Sequence, residues 1–236
     1  MIFGRFTGRF SMRNVLLSLA LLAIPTTAGA SLTNDDVEVV VNAAFKLLDA
    51  GLFEQASQKI EPIIARYESE NWPKDQRVYC GHSAPETLLY MTSGAVADAN
   101  SIDIGAPYCD ALFLRAYLQT EANDGDEALA TLARLRELAP ENAQYIVELA
   151  HVLKMRGRLD EALTLYRSVP GKAALAATDA LEKRWNAVAL RGIGYILIEQ
   201  RKWTEGEQAY RDSQKFDPDS EIARNELDFI KKNRTD

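Results

Sequence analysis

The chain has 236 residues and a formal net charge of -7, with 47% hydrophobic residues and only two cysteines. An acidic balance argues against nucleic-acid binding and against docking on anionic lipid. Two cysteines are too few for a metal-type cysteine cluster.

The start of the chain reads as a leader. Arg5, Arg9 and Arg13 precede an apolar run from Val15 to Ile24 that only Ser18 interrupts. Pro25 breaks the run, and Ala28-Gly29-Ala30 supplies small residues for cleavage. Residues 1–30 therefore have the pattern of a secretory signal peptide, too short in its apolar part for an ordinary membrane span. Met12 is an alternative start, since Met12-Arg13-Asn14 still opens a complete signal. Cleavage removes three arginines and no acid, so the exported chain carries about -10 and begins near Ser31. Export implies a periplasmic location, with no membrane insertion once the signal is removed. In such a compartment Cys80 and Cys109 read first as a disulfide. A bridge of that loop length contributes roughly 3–4 kcal/mol in the chain-entropy model.

The exported part, residues 31–236, reads as helices in pairs. In a first unit, about 37–70, Val40, Ala43, Ala44 and Leu47 share one helical face. Gly51 ends that helix, Phe53, Ala56 and Ile60 line the next, and Pro62 is expected to kink or shorten it. Residues 71–108 interrupt the pattern. Pro73, Gly81 and Pro85 mark loop, Glu86 to Ala99 one helix, and Asn100 to Pro107 loop again. No strand-like alternation of useful length is present. The pairs resume at 109–142 and 143–170, with turns at Asn123-Asp124-Gly125-Asp126 and Gly157. A second insertion, 171–186, carries the chain into a longer helix expected from Thr178. The last pair, 187–220, closes at Pro218, and 221–233 reads as an amphipathic capping helix through Ile222, Ala223, Leu227 and Ile230.

These units recur at close to 34 residues. Leu190-x-x-Ile193-Gly194-x-x-Leu197, Gly206-x-x-x-Tyr210 and Pro218 form one copy. Ile146-x-x-Leu149-Ala150-x-x-Leu153 and Ala162-x-x-x-Tyr166 form another, and Leu112-x-x-Arg115-Ala116, Ala128-x-x-x-Leu132 and Pro140 a third. In this the chain resembles the tetratricopeptide-repeat (TPR) family. The resemblance implies an all-α solenoid of about four helix pairs with one inserted helix and a C-terminal capping helix. Small residues, Ala44, Ala116, Ala150 and Gly194 with Ala56, Ala128, Ala162 and Gly206, are expected where paired helices cross.

The resemblance also implies how the chain works. In TPR proteins the first helix of each repeat lines a concave groove that takes a partner protein or peptide. Alignment of the repeats puts Phe45, Tyr117, His151 and Tyr195 at one groove position, and Val41, Phe113, Val147 and Arg191 four residues earlier. Asp49, Glu121, Met155 and Glu199 stand four residues later. An aromatic row flanked by acids suits a segment with apolar anchors and some basic character. An immunity or accessory protein for a secreted effector and an adaptor in envelope assembly both fit. The catalytic templates are empty: no Gly-x-Ser-x-Gly, no P-loop and no His-Glu-x-x-His. No cofactor, metal or nucleic-acid partner is expected. The rival reading is an envelope enzyme using Cys80 and His82.

Overall fold

The computed structural model describes residues 33–70, 72, 74–96 and 100–234. The signal peptide expected at residues 1–30 lies outside the described residues. The elements are α1 (Asn34–Asp49), α2 (Phe53–Ser69), β1 (Gln76–Tyr79), α3 (Ala84–Val96), β2 (Asn100–Asp103), α4 (Ala106–Glu121) and α5 (Gly125–Leu138). They continue with α6 (Ala143–Met155), α7 (Leu159–Arg167), α8 (Val169–Ala173), α9 (Asp179–Glu199), α10 (Trp203–Ser213) and α11 (Glu221–Asn233). No helix among the described residues is long and apolar enough to cross a membrane.

Four antiparallel pairs, α1/α2, α4/α5, α6/α7 and α9/α10, form an all-helical stack. Each second helix packs on the next pair, α2 on α4, α5 on α6 and α7 on α9, and α11 closes the far end against α10. The pairs share one turn. Gly51, Asn123, Gly157 and Arg201 all take a positive φ, between 59° and 75°. In every turn the next residue then donates to the carbonyl five positions back: Leu52 to Leu47, Asp124 to Gln119, Arg158 to Leu153 and Lys202 to Leu197. This is the Schellman closure, which satisfies a last-turn carbonyl that would otherwise be orphaned. Thr33, Asn142, Thr178 and Ser220 cap the starts of α1, α6, α9 and α11 through their side chains.

The small residues sit where the helices cross. Ala44, Ala56, Ala128, Ala150 and Ala162 are 0% exposed and Ala116 is 2% exposed. A methyl group added at Gly194 would lie 2.8 Å from the ring of Tyr210, and one at Gly206 would lie 2.6 Å from Ile198. At Gly192 it would come within 2.5 Å of the Tyr166 ring. Backbones approach this closely only where nothing projects from Cα.

Two sequence expectations need correction. Of the two effects expected of Pro62, shortening does not occur, since α2 runs on past it to Ser69. The first insertion is not one helix between loops. β1 and β2 flank α3 and pair in parallel, with Val78 opposite Ile102. At four residues each, these strands are too short to show an alternation. Side-chain bonds hold them together: Asp103 accepts from the backbone N–H groups of Gly81 and Gly105, each at 2.9 Å, and from the Thr87 hydroxyl at 2.7 Å. In the pair at 109–142, Arg115 stands where the other two copies have Leu149 and Ile193, and its partner explains the change. Its guanidinium forks onto Glu61 of α2, with Nε at 3.0 Å from Oε1, and so ties the first two pairs across the insertion.

Gly194→Ala tests the close crossing. Overpacking against the buried Tyr210 ring typically costs about 1–3 kcal/mol, against a helix-propensity gain of about 1 kcal/mol. The variant should therefore melt below the parent in a thermal scan. A raised melting temperature would show that α9 and α10 can part.

Candidate functional site

The stacking leaves the outer surfaces of the first helices, α1, α4, α6 and α9, side by side. Of the eight residues aligned at the two groove positions of this face, Tyr117 and Tyr195 are its exposed aromatics, at 38% and 39%. His151 is half-buried. Phe45 and Phe113 are also half-buried and face each other with ring centroids 6.5 Å apart. Three residues do not serve as surface contacts. Val41 is 2% exposed and packs in the core of the first two pairs. Val147 is 2% exposed because the α6 helix turns it into the core of the third and fourth pairs. Arg191 is held by Asp217 at 2.9 Å and by the Ser220 hydroxyl at 3.3 Å, so it fastens α9 to the segment before α11.

Around Tyr117 the charge is negative. Burial raises its phenol above the ordinary value, and the carboxylates Glu121, Glu148 and Asp49 add to the shift. Tyr117, Phe113 and Glu121 of α4 line a cavity of about 70 Å³ with Glu148 and His151 of α6. Burial raises the Glu148 carboxyl, partly offset by the distant charge of Arg184. Burial lowers the His151 imidazole, and neighbouring Lys154 lowers it further, so this ring favours its neutral form. Around Tyr195 the pattern differs. Lys154 places its ammonium 4.6 Å from the Tyr195 ring centroid, with Glu226 of α11 acting on the same cation. Glu148, Lys154 and Glu226 were not singled out from the sequence. The first two fall one turn or less from His151, a spacing that could have flagged them. The position of Glu226 depends on how α11 docks.

The insertion joins this face through a polar junction. Cys80 and Cys109 form a disulfide that ties the end of β1 to the first turn of α4, and both are fully buried. Cys80 therefore offers no thiolate, which removes the nucleophile from the enzyme reading. His82 is not an idle loop residue. Its Nδ1 faces the Cys80 carbonyl at 3.2 Å and its Nε2 faces Asp110 at 3.1 Å. Only the doubly protonated ring donates to both. The Tyr145 hydroxyl lies 2.7 Å from Nε2, and buried Glu86 accepts from the His82 backbone N–H at 2.8 Å. Burial alone would lower the His82 pKa. The hydrogen bond and charge of Asp110, the charge of Glu86 and the Cys80 carbonyl outweigh it and hold the ring above its ordinary 6.5. A cavity of about 150 Å³ opens beside the junction, between His82, Glu86 and Lys172 on one side and Leu175, Leu181 and Trp185 on the other. Its charges are matched internally, Lys172 by Glu141 and His82 by Asp110 and Glu86.

Non-reducing peptide mapping of the native protein should return Cys80 linked to Cys109. Reduction should lower stability by about 3–4 kcal/mol. Two alkylatable thiols in the native protein would contradict the bridge. The His82 junction predicts a pH dependence. A histidine raised in the folded state contributes stability fully below its unfolded value of 6.5, and loses it as pH rises through the folded value. In urea unfolding from pH 6 to pH 9, the gap between the parent and His82→Asn should therefore narrow as pH rises. A constant gap would mean that the ring is neutral throughout.

Comparison with known proteins supports the helical-repeat assignment. Residues 119–184 match the family model described as tetratricopeptide repeat. No curated protein matches the sequence. Among solved structures, the MamA RS-1 ArsTM double mutant is 17% identical with a TM-score of 0.53, and 86% of each chain is covered. MamA from Desulfovibrio magneticus RS-1, from residue 41 to its end, is 15% identical with a TM-score of 0.53, covering 83% of this chain and 84% of that one. At such identities the likeness is one of fold. The matched segment runs from the end of α4 into α9, and the same turn, crossing residues and pairing extend over the helices on both sides, so the fold is a tetratricopeptide-type solenoid.

Proposed function

We propose that this protein is an exported, periplasmic interaction module that binds a partner protein or peptide on its first-helix face. The observation that carries this reading is the pair of exposed tyrosines, Tyr117 and Tyr195, on a face otherwise rich in carboxylates. The two rings stand at the same aligned position of two first helices, and large aromatic rings are the usual anchors of an interface. The leader-like first thirty residues and the Cys80–Cys109 disulfide support a periplasmic location. Within this reading the protein serves as an immunity or accessory protein for a secreted effector, or as an adaptor in envelope assembly.

The test uses protein recovered from the periplasm, whose intact mass should begin at Ser31. It serves as bait, the captured partner is identified and purified, and its affinity is titrated. Tyr117→Ala with Tyr195→Ala should weaken binding strongly, since anchor aromatics typically contribute about 2 kcal/mol each when truncated. Helicity should be unchanged. Replacing Arg134 and Lys215, exposed and paired locally with Glu137 and Asp212, should change little. A double tyrosine variant that binds like the parent would move the docking surface elsewhere, with the disulfide-tied insertion as the first alternative.

A further inference from the structure

We infer that the cavity between α4 and α6 is a seat for a primary ammonium group, a lysine side chain of the docked partner, held between the Tyr117 ring and the Glu148 carboxylate. The inference rests on the proposed function and names the chemistry of its contact.

Three observations carry it. First, Glu148 is a half-buried carboxylate with no hydrogen bond and no ion pair among the described residues. Arg184, whose charge acts on it from a distance, instead lies over Trp185, 5.0 Å from the ring centroid. A half-buried carboxylate is stabilised by a cation that reaches it. Second, Tyr117 is half-exposed, and the charges acting on it are the carboxylates Glu121, Glu148 and Asp49, contributed by three different helices. A negative surround and an aromatic face both favour a cation. Third, the fold itself fills the equivalent position further along the stack. Tyr195 carries Lys154 on its ring, 4.6 Å from the centroid, with Glu226 as the counter-charge. At the corresponding places on the preceding first helices stand the uncharged Leu48 and Thr120.

Size selects the group. A cavity of about 70 Å³ is on the order of two water volumes, which admits an ammonium and its last methylene but not an aromatic ring. His151, held toward its neutral form, completes the wall without adding a positive charge.

The probe is an acetylated octapeptide of alternating leucine and lysine, titrated calorimetrically into the exported protein at physiological salt. Its counterpart carries glutamine in place of lysine. The parent should bind the lysine peptide at least about ten-fold more tightly than the glutamine peptide, as expected for a charge-assisted bond. Glu148→Gln should remove that preference without lowering the melting temperature, because the amide replaces an unpaired carboxylate in the same volume. Tyr117→Leu, at a half-exposed position, should weaken the lysine peptide as well. Equal binding of the two peptides by the parent, or an unchanged preference in both variants, would overturn the inference. A preference that survives both substitutions while the double tyrosine variant loses the natural partner would leave the groove as docking face and refute only the lysine seat.

Discussion

Close helix crossing is the constraint on which this protein depends. Paired helices meet at alanine or glycine, and the space is so tight that buried tyrosine rings lie where a glycine Cβ would stand. That contact fixes the rotation of each helix about its axis. Rotation in turn decides which side of α4, α6 and α9 faces outward, and so where Tyr117, His151 and Tyr195 stand. The four repeated turns set the same geometry from the other end, by closing each first helix at one residue with positive φ. At Arg201 a non-glycine residue occupies that conformation, a sign that the turn is held by the stack and not by local preference.

The βαβ insertion is fastened to this frame without breaking it. α2 still packs on α4, so the insertion leaves the stack continuous. Its attachment is covalent through Cys80–Cys109 and electrostatic through His82. From His82 a line of rings continues to Tyr145 at 5.3 Å, to Phe113 at 5.7 Å and to Phe45 at 6.5 Å. The insertion thus braces the aromatic layer beneath the exposed face. It limits how far α4 and α6 can part at the cavity that Phe113 lines.

The first-helix face is electrically divided. Near Tyr117 the carboxylates of α1, α4 and α6 are the main charges acting on the ring. Near Tyr195, Lys154 and Glu226 balance one another over the ring. A ligand crossing both regions meets one charged and open site and one that is already satisfied. Net charge alone would not distinguish them. The distinction comes from one side chain, Lys154, reaching from α6 toward α9.

The sequence by itself determined the repeat. Small residues at fixed spacing and an apolar stripe of period near 3.6 are local patterns, and they specify helix pairs, their crossings and a closing helix whatever surrounds them. It also pointed to Cys80 and Cys109, because an even cysteine pair and a leader-like first thirty residues are both visible along the chain. Only the tertiary structure decided what the aligned face contains. Val147 and Arg191 match the groove register, yet helix packing buries the first and Asp217 claims the second. The two short strands were illegible because they are held by Asp103, whose partners Gly81 and Thr87 come from an earlier part of the chain. The roles of His82 and Glu148 were hidden for the same reason. The electrostatics of a residue depend on neighbours distant in sequence: Asp110 raises the His82 pKa against burial, while among the described residues no side chain pairs with Glu148.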